Sequence, residues 1–131
     1  MDRASLVNSL LSTDIAIGTE ILNALNRANI KTSVALWAFL PEYQDWRLVL
    51  AGKEFDAAGA GENYGLVHQA LNSAGFPVER TPTLRILRMD DPFIKTLRRI
   101  FGKTKSVEGM RLGGQTIGDR FLEDAYVYQI K

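Results

Sequence analysis

Cysteine is absent from the sequence and histidine occurs once, at position 68. The first absence excludes a disulfide framework, a thiolate nucleophile and cysteine-ligated zinc. The second excludes a multi-histidine metal cluster and leaves His68 as a lone candidate general base. No apolar run approaches the roughly 18 residues that cross a bilayer. The opening MDRASLVNSLLSTD has an acid at its second position and no small-residue cleavage signature, so it does not read as a secretion signal. The cytosol is the expected compartment, with no membrane partner. Repeats, low-complexity tracts and long linkers are also missing, so the 131 residues are expected to form one domain over 1–131.

What is present is enough for a packed core, since 46% of residues are apolar and 24% charged. The net charge of +1 conceals an asymmetry: residues 1–65 hold five basic against eight acidic side chains, and residues 66–131 hold eleven against seven. Such a distribution bears on partners, a second copy of the chain included, and says nothing about fold.

Residues 14–29 place Gly18, Ile21, Leu22, Leu25 and Ala28 on one face of a helix, and Leu6, Val7, Leu10 and Leu11 suggest a preceding helix over 3–11. SVALWAFLPEYQDWRLVLAG reads as a β-hairpin turning at PEYQD. With Leu40 opposite Trp46, both faces are apolar and Arg47 falls opposite Phe39, a cation–π geometry. Two apolar faces mean a hairpin covered on both sides or a patch that meets a partner.

A glycine- and alanine-rich loop, FDAAGAG, leads to a helix over 62–74 that ends at Gly75 and Pro77, followed by a strand at 83–89. Asp91 then caps a helix with Pro92 at its first position, an apolar stripe of Phe93, Ile94, Leu97, Ile100 and Phe101, and Gly102 as terminator. The last segment fits a hairpin turning at Gly118-Asp119 or at Gly113-Gly114. The order predicts an α+β fold with a mainly antiparallel sheet of about five strands and three or four helices.

Three groups of residues are candidate sites. Lys95, Arg98 and Arg99 lie opposite the helical stripe, Lys103 and Lys105 follow, and Arg80, Arg85, Arg88 and Arg111 come from segments able to converge on them. Such a groove attracts phosphates, although a helix needs a solvated face and cations in its last turn complement its dipole. Trp37, Phe39, Tyr43 and Arg47 make a protein-binding surface if exposed, and core if not. His68, beside Val67 and Leu71, reads as a half-buried structural histidine or a general base, and Glu123 and Asp124 as edge protection or an acid/base pair. Gly59, Gly61 and Gly65, with Glu79 about 20 residues on, imitate a dinucleotide loop. No strand directly precedes them, so a plain loop is expected, with no cofactor and no metal.

ALWAFLPEYQDWRLVLA, DPFIKTLRRIF, GMRL and EDAYVYQI together resemble a family of small, stand-alone bacterial proteins with no assigned activity. The likeness runs from about Asp14 to the C-terminal residue. It implies a bacterial cytosolic origin and one domain, and carries over no site residue. The residues themselves lead to three function classes. The first is a non-enzymatic interaction protein, self-associating or binding another protein through the Trp37/Phe39 face or a strand edge. The second is a nucleic-acid or polyphosphate binder using Lys95, Arg98, Arg99, Lys103 and Arg111. The third is a metal-independent enzyme using His68 or the Glu123/Asp124 pair.

Overall fold

The computed structural model of the protein describes residues 10–131. Its elements are α1 (Ser12–Arg27), β1 (Val34–Leu40), β2 (Asp45–Ala51), α2 (Lys53–Ala58), α3 (Glu62–Ser73), β3 (Leu84–Ile86), α4 (Pro92–Phe101), β4 (Arg111–Leu112), β5 (Gln115–Ile117), β6 (Arg120–Leu122) and β7 (Asp124–Ile130). One sheet has the order β3-β2-β1-β7-β4, while β5 and β6 form a two-stranded ribbon. Within the large sheet β3 runs parallel to β2 and the other pairings are antiparallel. The fold is therefore α+β with a mainly antiparallel sheet, in agreement with the element order. The helix expected over residues 3–11 falls outside the described residues except at Leu10 and Leu11, which are not helical.

All seven residues of β1, VALWAFL, are buried. Alternating side chains of a strand point to opposite faces, so β1 needs cover on both. On one face Leu36, Ala38, Val49 and Val127 meet Phe93, Ile94 and Leu97 of α4 and Ile117 and Leu122 of the β5–β6 ribbon. On the other, Ala35, Trp37, Leu48 and Leu50 meet Ile21 and Leu25 of α1, Phe55 of α2, and Val67 and Leu71 of α3. Each large apolar side chain so enclosed contributes about 1.5–3 kcal/mol of transfer free energy.

The β1–β2 register differs by one residue from the sequence expectation: Leu40 opposes Asp45 and Phe39 opposes Trp46. The carbonyl of Leu40 accepts from the amides of both Tyr43 and Gln44, each at 3.1 Å, and Gln44 turns back with φ 51°. The loop thus closes over 41–44 and Asp45 joins the strand. Arg47 moves opposite Ala38 and stacks on Tyr43, with its guanidinium 3.7 Å from the ring centre, instead of on Phe39. Phe39 packs edge-on against Trp46 at 5.6 Å.

The FDAAGAG segment is not a simple loop, because Lys53–Ala58 forms a short helix that buries Phe55. The next helix stops as expected at Gly75, whose φ of 75° only glycine adopts without strain, with the Phe76 amide reaching back to the Leu71 carbonyl at 2.9 Å. Asp91 caps α4 by accepting from the Phe93 amide at 2.9 Å. Ile100, in phase with the α4 stripe, is 52% exposed.

The closing hairpin uses the Gly118-Asp119 turn, with Arg111 opposite Tyr126 and Gln115 opposite Leu122. It bends where Gly113 and Gly114 face Glu123. A Cβ on Gly113 would lie 2.7 Å from the Glu123 carbonyl oxygen, and Gly114 has φ 65°. The bend lays the ribbon tip on α4, and a Cβ on Gly118 would meet the Pro92 carbonyl at 2.5 Å.

The β1–β7 pairing shifts between Ala35 and Leu36, so Tyr128 is the extra residue of a bulge. Its hydroxyl donates to the Ile15 carbonyl at 2.6 Å and accepts from Trp37 Nε1 at 2.9 Å. It reaches α1 because position 18 is glycine: a Cβ there would lie 2.0 Å from the Tyr128 oxygen. Alanine normally gains about 1 kcal/mol over glycine in a helix interior. Here the clash reverses the sign, because the phenol can swing away only by giving up both hydrogen bonds. Gly18→Ala should destabilise by about 1–3 kcal/mol in urea unfolding, and by much less in a Tyr128→Phe background. Burial raises the Tyr128 pKa from 10.0 to about 12. Its neutral form is therefore favoured by folding, and this share of stability is full below pH 10.0 and disappears as pH rises to about 12. Tyrosinate absorbance during alkaline titration should show one tyrosine ionising last, and that late step should vanish in Tyr128→Phe.

Candidate functional site

The apolar side of α4 is fixed against the sheet by Phe93, Ile94 and Leu97, which turns Lys95, Arg98 and Arg99 to solvent. Asp90, Pro92, Lys95, Thr96, Arg98 and Arg99 line an open groove of about 620 Å³. Lys103 and Lys105 extend the charge beyond the helix, both exposed. Among the described residues these five cations have no aspartate or glutamate partner within ion-pair distance. Arg98 Nε donates at 2.7 Å to the main-chain oxygen of Lys131, a contact that anchors its guanidinium beside the end of β7. Several other arginines are paired with carboxylates: Arg80 with Glu20 at 3.1 Å, Arg88 with Asp90 at 3.1 Å and Arg120 with Glu42 at 3.1 Å.

Arg111 does not join this surface. Its register partner Tyr126 packs with the α1 side of the sheet, opposite α4, and Arg111 is bound to Asp124 at 2.6 Å. Alternation along β4 decides this, since Leu112 takes the α4 side. Arg80 also lies away from α4, against Phe76 and Glu20. Arg85 and Arg88 line a separate cleft with α2 and α3.

The aromatic candidates are core. Trp37 is 3% and Phe39 8% exposed, so neither offers a surface to a partner. They are covered because their face of β1 carries the α1 and α3 cluster at Trp37 and the Trp46 ring at Phe39. Tyr43 and Arg47 are half-buried and stack on each other. His68 is exposed rather than half-buried, because α3 meets the core through Val67, Ala70 and Leu71. Glu123 sits exposed at the hairpin bend while Asp124 holds Arg111, so the two do different structural work. Among the described residues no three histidine, aspartate or glutamate side chains gather to hold a metal, and no helix is long and apolar enough to cross a membrane.

Arg120 was not singled out by sequence, although it follows a glycine turn beside three acidic neighbours in space. Its side chain, 18% exposed, lies 3.1 Å from Glu42, 3.8 Å from Asp91 and 3.8 Å from Asp119. It thereby ties the β1–β2 loop, the ribbon tip and the cap of α4 into one node, which sets where the α4 cations stand. No protein-family model matches the chain, and no curated protein or solved structure matches it.

Pairs this enclosed lie between the near-zero value of surface bridges and the several kcal/mol of buried ones. Arg120→Ala should cost about 2 kcal/mol in chemical denaturation, since it strands Asp91 beside the α4 start. Arg111→Ala, whose pair is about half exposed, should cost under about 1 kcal/mol.

Proposed function

We propose that the protein is a non-enzymatic nucleic-acid binder that holds a phosphate backbone along α4 and the segment after it. The observation that carries this reading is the row of Lys95, Arg98, Arg99, Lys103 and Lys105, none of which meets an aspartate or glutamate of the described residues within ion-pair distance, whereas Arg80, Arg88, Arg111 and Arg120 do. A nucleic acid carries condensed cations, and basic side chains that neutralise its phosphates release them with a gain of entropy. The groove over the helix is shallow and open, which suits a backbone better than an enclosed small molecule. The alternative of self-association has lost its aromatic surface. Strand addition has little to work with, because the edge strands β3 and β4 are three and two residues long and the Ile86 amide is taken by the Tyr64 hydroxyl at 3.1 Å.

Fluorescence anisotropy with labelled single- and double-stranded oligonucleotides, run across a salt series, tests the reading. Log affinity should fall linearly with log salt, by about 0.7–0.9 per phosphate neutralised. Lys95→Ala should reduce that slope by about 1, and Arg98→Glu with Arg99→Glu should abolish binding while circular dichroism stays unchanged. Arg111→Ala, on the opposite sheet face, should leave the slope alone. Absent or salt-insensitive binding at low ionic strength refutes the proposal.

A further inference from the structure

We infer that a second copy of this chain docks on the layer formed by α4 and the β5–β6 ribbon, giving a two-fold dimer in which each helix lies against the other copy's ribbon. Both elements cover the same face of the sheet, since Phe93, Ile94 and Leu97 of α4 and Ile117 and Leu122 of the ribbon pack into one cluster. Their opposite sides therefore look out from the molecule in the same direction. The two elements also touch, because the ribbon tip rests on the start of α4, where a Cβ on Gly118 would meet the Pro92 carbonyl.

The two halves of this layer carry opposite charge. On α4, Lys95, Arg98 and Arg99 are exposed and meet no aspartate or glutamate of the described residues within ion-pair distance. On the ribbon, strand alternation sends Leu122 inward and leaves Asp119, Phe121 and Glu123 exposed. Arg120 serves Glu42, Asp91 and Asp119 together, so one positive charge there answers three negative ones. Glu123 has no basic partner within ion-pair distance among the described residues. Each half also exposes a large apolar side chain: Ile100 on α4 at 52% and Phe121 on the ribbon at 47%. An interface has an apolar centre and a polar rim, and these residues supply both.

Charge complementarity selects the occupant. A basic half beside an acidic half on one face is self-complementary. A two-fold axis lying between the copies, along the seam of helix and ribbon, sets each α4 against the other copy's ribbon and makes both contacts at once. A nucleic acid meets Asp119 and Glu123 as like charges, so it is confined to α4 and leaves Phe121 in water. The dimer covers the α4 cations, which makes a second copy and a phosphate backbone mutually exclusive. Phe121 is distinct from Trp37 and Phe39, which are core. The inference does not rest on nucleic-acid binding, and the protein alone tests it.

Sedimentation equilibrium of the full chain at low ionic strength, up to millimolar concentration, should show the mass rising from one chain toward two, and the dimer should weaken as salt is added. Phe121→Ser should weaken dimerisation by about tenfold or more while circular dichroism stays unchanged, because the residue is exposed. Lys95→Glu with Arg99→Glu should give a monomer, and so should Asp119→Lys with Glu123→Lys, since each pair sets like charges against each other. A chain carrying all four reversals keeps the net charge of +1 and should dimerise again, because an acidic helix then meets a basic ribbon. A wild-type mass of one chain throughout, a dimer that survives either pair of reversals, or a fourfold-reversed chain that stays monomeric would each overturn the assignment. The oligonucleotide titrations are a separate measurement, and their failure leaves these outcomes unchanged.

Discussion

The double-sided burial of β1 governs the rest of the molecule. A strand that is apolar on alternate sides has no face to give to water, so its neighbours must build two layers where many antiparallel sheets need one. The chain meets this demand with α1, α2 and α3 on one face. On the other it uses an economical device, in which α4 covers the centre and the closing hairpin folds over to complete it. Because β1 is central, with β2 and β7 at its sides, all seven of its residues are buried.

That demand also places the chemistry. Covering one face with a helix as short as α4 commits Phe93, Ile94 and Leu97 inward and leaves its basic residues outward, along a groove that Asp90 also lines. Covering the other face by a crossover from β2 to β3 creates the cleft between α2 and α3. The basic surface of α4 is therefore a by-product of enclosing β1, and Arg120 ties it to the core by joining the α4 cap to the β1–β2 loop.

Where local chemistry decides, the sequence was readable. Asp91 and Pro92 start α4, Gly75 ends α3, and Gly118-Asp119 turns the last hairpin, each through interactions within a few residues. Where distant contacts decide, it was not. PEYQD carries turn residues at both ends, and only the paired amides on the Leu40 carbonyl show that Asp45 belongs to the strand. That single step exchanged the partners of Arg47. FDAAGAG looks like a loop because its glycines follow its helix-forming residues so closely, yet burial of Phe55 stabilises a short helix there. The basic helix was legible as a surface, but Arg111 was assigned to it by charge alone, and the alternation of β4 sends it to the other face. His68 illustrates the opposite error, since adjacency to Val67 in sequence places it at the border of a helical face, and the structure puts it outside.

The contact between Trp37 and Tyr128 spans 91 residues of chain, and it lies at the seam where β7 completes the sheet. β2 can pair with β1 as soon as both have been made, because four residues separate them. β7 cannot arrive until every element from α2 to β6 has been synthesised, so a newborn chain carries an oily ribbon with one raw side through that interval. Long-range closure of this kind is slow and invites sticking to neighbouring chains. The time between the making of β2 and that of β7 is thus the interval in which β1 is most open to wrong partners.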